Sequence, residues 1–245
     1  MKIRLFLAAL VCVFFTSCQI TENVYVNEDG SGKLSFDIDA SGLMAMAGDK
    51  MGGEKDVDST FTFKEMFDAK RDSISKLPAD EQARLKKLEN VSVNMKMKAA
   101  DKQFLISMFM DFKKADELMD MMQAMNAVKP KQPGAGEDNP LSSIGNGNAT
   151  DLKFSFDGTS FKRNVVVKDK AALAAKKDTT GMTAMMFAGS NYTLKYHFPR
   201  KVKSVSNKTA MFSDDRKVVT IQYPFTEYLD DPEKLNLEVV LEKKK

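Results

Sequence analysis

Reactive side chains are scarce in this chain, which has one histidine, His197, and two cysteines, Cys12 and Cys18. Nucleophilic catalysis by a serine or cysteine needs a histidine within hydrogen-bond reach of the nucleophile, and no nucleophile-elbow motif is present. The usual zinc sites take several histidine and cysteine ligands, which this inventory does not supply. Phosphate-binding and dinucleotide-binding loops are also absent from the sequence. The sequence therefore predicts a protein that is not an enzyme and that uses neither a metal nor a cofactor.

Cys18 has a definite chemical setting, because it ends an N-terminal leader. Lys2 and Arg4 precede an apolar run of eleven residues, and Ser17 stands directly before the cysteine. Such a run fits a signal peptide and falls short of the ~20 residues of a spanning helix. The arrangement resembles a bacterial lipoprotein signal, in which the cysteine is acylated, with palmitate among the chains, and becomes the first residue of the mature protein. We expect lipidation at Cys18, with a plain secretory leader as the alternative.

The residues around Cys18 also predict a location. Gln19 follows the cysteine where an aspartate would indicate retention in the inner membrane under the enteric sorting rule. We therefore expect a protein anchored in the outer membrane and facing the periplasm. The chain has 37 basic and 34 acidic residues, so loss of Lys2 and Arg4 with the leader leaves a net charge of about +1. A nearly neutral chain does not favour binding to nucleic acid.

The segments that must position these residues are mostly β-strands, because apolar and polar residues alternate along them. Residues 23–38, 91–110 and 152–167 each contain two such strands around a turn, which is the pattern of a hairpin. These hairpins predict an α+β fold with a largely antiparallel sheet. Further strands are predicted at 192–198, 202–205, 219–223 and 235–241.

Amphipathic helices are predicted as insertions between the strands. Residues 41–89 and 114–128 show helical spacing of apolar side chains. Residues 129–149 are rich in proline, glycine and asparagine, which predicts a flexible loop. The sequence thus divides into a signal peptide at 1–17 and a single α+β envelope domain at 18–245.

Methionine is unusually abundant, with 17 residues in a chain that has no tryptophan. One interpretation is that these side chains fill irregular gaps in the core. The other is an adaptable apolar surface for a lipid tail or a partner helix, since flexible thioethers repack around different shapes. The residues predicted to line such a site are Met44, Met46, Met121, Met122, Met125, Met182 and Met185.

Motifs at both ends of the mature chain resemble a known family. Residues 22–32, ENVYVNEDGSG, follow the leader, and YHFP at 196–199 precedes the strand at 202–205 and the late LNLEV segment at 235–239. Together they resemble the LppM-type lipoprotein domain. The resemblance implies an α+β envelope lipoprotein without a catalytic centre, whose role is binding or scaffolding.

Two classes of function stay open. One is a non-catalytic envelope lipoprotein that binds an apolar or lipid-like ligand between the sheet and the methionine-rich helices. The other is a structural or assembly lipoprotein that contacts a protein partner in the envelope. An apolar cavity of several hundred cubic ångströms would favour the first class. A filled core with exposed apolar side chains would favour the second.

Overall fold

The computed structural model describes residues 18–42, 44, 56–122, 149–178, 187 and 189–244. Within these residues, β-strands form two sheets, an eight-stranded large sheet and a four-stranded small sheet. The strands are β1 (Gln19–Val26), β2 (Gly32–Asp39), β3 (Val57–Thr62), β4 (Ser92–Lys98), β5 (Gln103–Phe112), β6 (Thr150–Phe156), β7 (Ser160–Val167), β8 (Asn191–His197), β9 (Val202–Val205), β10 (Met211–Phe212), β11 (Val218–Pro224) and β12 (Leu237–Leu241).

Short helices connect the strands. Thr62 and Glu65 form a reciprocal capping box that starts the first helix, and Pro78 precedes the third. Helices and strands occur together, so the predicted α+β class is confirmed. The helices are α1 (Phe63–Asp68), α2 (Arg71–Ile74), α3 (Ala79–Leu88), α4 (Lys170–Asp178) and α5 (Phe225–Asp230), with 3₁₀ turns at Ala115–Glu117 and Pro232–Leu235.

The large sheet has the order β10-β11-β8-β1-β2-β5-β4-β3, and the small sheet has the order β6-β7-β12-β9. Among the described strands, neighbours pair antiparallel except for β1 and β8, which run parallel with Gln19 opposite Asn191. The three predicted hairpins are present as β1–β2, β4–β5 and β6–β7. The prediction of a largely antiparallel architecture is therefore confirmed.

The β1–β2 turn shows how local chemistry closes a hairpin. Asn27 donates its backbone N–H to the carbonyl of Ser31 at 2.8 Å, and the Asp29 carboxylate accepts the N–H of Ser31 at 3.0 Å. Gly30 has a φ of 83°, in the left-handed region that favours glycine. The Asp-Gly pair therefore sets the turn, as its sequence predicts.

The core lies between the two sheets and beneath the helices. Alternation along each strand places one face inward, so that Phe161 of the small sheet meets Tyr196 of the large sheet at a ring-centroid distance of 5.4 Å. Phe198 also contacts the Phe161 ring, with a ring-centroid distance of 5.6 Å. Aromatic contacts therefore join the inner faces of the sheets.

Two boundaries differ from the sequence-based expectation. The helical insertion predicted at 41–89 is wrong at Val57–Thr62, which forms strand β3 and pairs with β4. Pairing with a neighbouring strand overrides the local helical pattern there. Strand β1 begins at Gln19, ahead of the hairpin predicted at 23–38, so the sheet starts directly after Cys18.

The helix predicted at 114–128 does not begin at Lys114, whose backbone is extended. Ala115–Glu117 form a 3₁₀ turn, Leu118 is extended again, and Met121 and Met122 are helical. The Glu117 carboxylate accepts the N–H of Lys113 at 2.9 Å, which stabilises the short turn in place of a helix. Residues 123–148, including most of the predicted loop at 129–149, lie outside the described residues.

Candidate functional site

Cys18 is built into the end of the large sheet. It is 3% exposed, its N–H donates to the Ser190 hydroxyl at 3.0 Å, and its carbonyl accepts the N–H of Asn191 at 3.3 Å. Burial and, to a smaller extent, the Asp39 carboxylate raise the pKa of the thiol to about 12. The folded domain therefore holds Cys18 as a neutral, shielded thiol, which is a poor nucleophile.

The structure places three of the predicted methionines in buried positions. Met44 is 5% exposed, Met121 2% and Met122 3%. Met121 and Met122 belong to the same apolar core as Cys18. Met46, Met125, Met182 and Met185 lie outside the described residues. The role of this set in ligand binding stays a prediction.

A buried ion pair joins the two sheets. The Arg163 guanidinium on β7 lies 3.3 Å from the Glu22 carboxylate on β1, measured from Nε to Oε1. Both residues are almost fully buried. Arg163 also donates from Nη1 to the carbonyl of Leu235 at 3.2 Å. The pair therefore links the small sheet, the large sheet and the 3₁₀ turn before β12.

Tyrosine hydroxyls complete the surroundings of Glu22. Tyr192 donates to its Oε2 at 2.7 Å, and Tyr196 donates to its Oε1. Burial first, and then the Glu22 charge, raise the pKa of both hydroxyls well above their usual range, so both stay protonated donors. Tyr228 stacks on Tyr192 at 4.8 Å and donates to Asp120 at 3.2 Å. The Glu22 carboxylate thus accepts hydrogen bonds from three buried side chains, those of Arg163, Tyr192 and Tyr196.

The alternation of inward and outward residues along β1 and β7 indicates, from the sequence, that Glu22 and Arg163 are buried. Glu22 shares its face with Ile20 and Val24, both of which are buried. Arg163 in the same way shares a face with Phe161 and Val165. A charged residue at an inward position needs a partner of opposite charge, because an unpaired buried charge is costly. Alternation predicts that both residues are buried, although only the fold shows that they meet.

A groove of about 690 Å³ lies over the small sheet. Exposed side chains from β6, β7 and β12 form much of it, and Ser155, Lys162 and Glu238 face one another across the strands. Lys162 and Glu238 form an exposed ion pair at 3.2 Å. Eight of the ten lining residues are polar or charged, while apolar atoms contribute the larger part of the surface that lines the groove. The lining residues are Lys153, Phe154, Ser155, Lys162, Arg163, Asn164, Ser206, Asn236, Leu237 and Glu238.

Beside the groove, the Asn236 side chain forms the hydrogen bonds to β7 that the backbone of a neighbouring strand would otherwise form. Val165 donates its N–H to the Asn236 amide oxygen at 2.5 Å, and the Asn236 amide nitrogen donates to the Val165 carbonyl at 3.3 Å. Glu233 accepts the N–H of Val167 at 3.2 Å. These side chains continue the ladder along β7 past the start of β12. They satisfy backbone groups that would otherwise form an open edge.

His197 faces away from the core, as its strand position predicts, but it is not an exposed residue. Its ring stacks on Tyr25 with a centroid distance of 4.0 Å and an interplanar angle of 13°, and the residue is half-buried. Its Nε2 is buried without a hydrogen-bond partner among the described residues. Burial, and then the positive charge of Lys195, lower the pKa of His197 below 6.5. The imidazole is therefore neutral at neutral pH.

Two further features, a cluster of metal ligands and a membrane-spanning helix, are absent from the described part of the chain. There, no group of three or more histidine, cysteine, aspartate or glutamate side chains is placed to hold a metal ion. No helix in the same residues has the length and apolar character needed to cross a membrane.

Comparison with known proteins gave a structural similarity at low sequence identity. Neither a protein-family model nor a curated protein matches the chain. Among solved structures, the chain is similar to the folded domain of the Mycobacterium tuberculosis LppM protein, determined by NMR. The match has 11% identity and a TM-score of 0.39, and it covers 96% of this chain and 95% of that one.

Proposed function

We propose that this chain is a non-catalytic cell-envelope lipoprotein, anchored to a membrane by lipid on Cys18. The observation that carries the proposal is the position of Cys18 directly before β1, which lies inside the large sheet between β8 and β2. The lipoprotein-like motif ends at the residue after which the sheet begins. Processing between Ser17 and Cys18 would therefore leave the described strands complete.

Burial of the thiol sets an order of events for this proposal. A bulky lipid on the sulfur cannot occupy the closed position that Cys18 takes at 3% exposure. Acylation therefore takes place while this end of the sheet is unpaired. The lipidated residue then stays outside the core, and the ladder begins at Gln19, opposite Asn191 and Asp39.

The finer location follows from the sequence. Gln19 stands where an aspartate would direct retention in the inner membrane, so we place the anchor in the outer membrane and the domain in the periplasm. With the sheet starting one residue after the lipid, and at most ~3.6 Å of chain per residue, the domain is held close to the bilayer surface.

Replacing Cys18 with alanine tests the anchor. We expect Cys18→Ala to accumulate as uncleaved precursor and to lack the covalent lipid, because the acylated sulfur is gone. Each buried methylene of an acyl chain contributes ~0.8 kcal/mol to membrane binding, so the processed parent protein should partition into the detergent phase through its lipid, whereas the variant has only its uncleaved leader to hold it there. Immunoblots of detergent-phase and aqueous fractions, with mass spectrometry of the N-terminus, measure both effects.

Cys12→Ser is the matched control, since Cys12 leaves with the leader and its replacement should change neither cleavage nor fractionation. Recovery of Cys18→Ala as a normally cleaved, soluble protein would contradict the lipoprotein proposal.

For the role of the domain, we propose assembly with a protein partner in the envelope. Two observations support this class over an apolar ligand site: the described methionines predicted to line such a site are buried, and Met211 stands 56% exposed on edge strand β10. The expected partner segment is polar or charged, matching Lys162 and Glu238. Binding of an apolar or lipid-like ligand stays a second candidate, which rests on the methionine clusters of the sequence.

Two measurements, one in cells and one on the purified protein, separate these roles. A photo-crosslinking amino acid at Asn164, in the groove, is expected to give a discrete crosslinked partner in cells. The same group at Lys33, on the exposed face of β2, is expected to give none. Solvent extraction of the purified protein should release no stoichiometric lipid beyond the covalent anchor. A stoichiometric lipid without a crosslink from Asn164 would favour the ligand-binding role and contradict the assembly role.

A further inference from the structure

The β4–β5 hairpin extends past the end of the large sheet at which Cys18 lies. Register across the sheet places Gln19 opposite Asp39, Asp39 opposite Leu105, and Leu105 opposite Lys96. The hairpin continues beyond this row through two more paired positions, Met97 with Phe104 and Lys98 with Gln103. A four-residue turn at 99–102 closes it.

The extra length brings the hairpin tip at least to the level of the anchor. Each strand residue advances the chain by ~3.3 Å, so the tip lies roughly 10 Å along the strands from the row that contains Gln19. Cys18 lies one residue past that row. The twist of the sheet inclines the hairpin relative to β1 and shortens its projection on the axis of β1. The tip therefore lies level with Cys18 or beyond it, at the end of the large sheet where Cys18 lies.

The hairpin has two chemically different faces. Met95, Met97 and Phe104 lie on one face, where all three are half-buried and Phe104 packs against the edge of the core. Lys96 and Lys98 lie on the other face. Apolar side chains beside lysines suit the boundary between acyl chains and headgroups, where lysine stems lie along apolar surface and their ammonium groups reach phosphates.

Carboxylates moderate the charge of the tip. Asp101 lies 4.0 Å from Lys98, the Asp56 carboxylate accepts the N–H of Ala99 at 3.1 Å, and Asp58 pairs across from Lys96. The attraction to a membrane would therefore come mainly from the methionines and Phe104, with the lysines orienting the hairpin.

We infer that the β4–β5 hairpin is a second membrane contact, which enters the headgroup region of a phospholipid bilayer beside the lipid anchor. This inference rests on the proposed lipidation of Cys18, since the anchor determines which end of the sheet meets the bilayer. Two contact points restrict the tilt of the domain relative to the bilayer, whereas the lipid anchor alone would leave the domain free to reorient.

A single fluorescent probe tests the depth of the tip. In the lipidated, processed protein Cys18 is blocked and Cys12 is removed, so an introduced cysteine is the only reactive thiol. Ala100→Cys places a nitrobenzoxadiazole label in the turn, and Thr159→Cys places it in the β6–β7 turn. That turn lies at the opposite end of the molecule, because Phe156 beside it approaches Gly30 in the β1–β2 turn.

After reconstitution in phosphatidylethanolamine–phosphatidylglycerol vesicles, the label at position 100 is expected to brighten severalfold and to be quenched by doxyl-labelled lipid. The label at 159 should do neither. Equal responses at the two positions would overturn the inference. Mass spectrometry of the same sample reports lipidation of Cys18. A lipidated protein with an unquenched tip contradicts only this inference, and an unlipidated one contradicts the proposed function.

A charge placed on the apolar face gives an independent readout. Met97→Asp is expected to reduce quenching of the label at position 100 severalfold, because a carboxylate is costly at the acyl boundary. Val166→Asp is the matched control, since Val166 is 44% exposed on the small sheet, and it should leave the quenching unchanged. Unchanged quenching in Met97→Asp, with a far-ultraviolet spectrum like that of the parent, would mean that this face does not meet lipid.

Discussion

Replacing Arg163 with methionine is expected to lower the free energy of unfolding by about 3–5 kcal/mol, the range typical of breaking one partner from a buried ion pair. Methionine fills a similar volume but leaves the Glu22 carboxylate, 4% exposed, without its positive partner. The hydroxyls of Tyr192 and Tyr196 still donate to Glu22 and recover only part of the loss. Urea unfolding followed by far-ultraviolet circular dichroism measures the change.

The double variant Glu22→Gln with Arg163→Met separates charge from packing. Glutamine removes the negative charge and keeps a carbonyl oxygen that both tyrosines can reach. We therefore expect the double variant to regain most of the stability that Arg163→Met loses. Equal losses in the single and double variants would show that the uncompensated charge is not the cause. If Arg163→Met lowered the free energy of unfolding by less than about 1 kcal/mol, the ion pair would contribute little to the stability of the fold.

Replacing Gly32 with alanine is expected to cost about 3 kcal/mol or more, at the upper end of the range for overpacked sites. A Cβ at Gly32 would lie 1.8 Å from the carbonyl oxygen of Tyr25 and 2.5 Å from Cζ of Phe112. The phenylalanine ring can shift, but the carbonyl belongs to β1 next to Val26, which pairs with Gly32. Relief therefore requires separation of the hairpin at its turn.

Gly158→Ala is the matched control for this prediction. Gly158 has a φ of +90° and nothing within 4 Å of an added Cβ, so only backbone strain opposes alanine there. That strain costs about 1–2 kcal/mol. Thermal and urea unfolding of both variants should rank Gly32→Ala as clearly the less stable. The reverse ranking would mean that the β1–β2 hairpin accommodates the clash by moving.

Local patterns in the sequence determined the class of the fold and its hairpins. Alternation in residues 23–38 and 152–167 predicted two of the hairpins correctly. These features depend on neighbouring residues, whose turn chemistry and periodicity are readable without the rest of the chain. The leader that ends at Cys18 stays a prediction of the same local kind, because a leader is a linear motif.

The tertiary structure alone decided which distant segments meet. The parallel pairing of β8 with β1 and the placement of Val57–Thr62 as edge strand β3 depend on partners far away in sequence. Methionine composition likewise did not distinguish a core residue from a site residue, because the same side chain suits both environments. Alternation along β1 and β7 places Glu22 and Arg163 on the inward faces of their strands. Their contact, however, requires the two sheets to face each other. A charge at a buried position shows that a partner is needed but does not show which residue provides it.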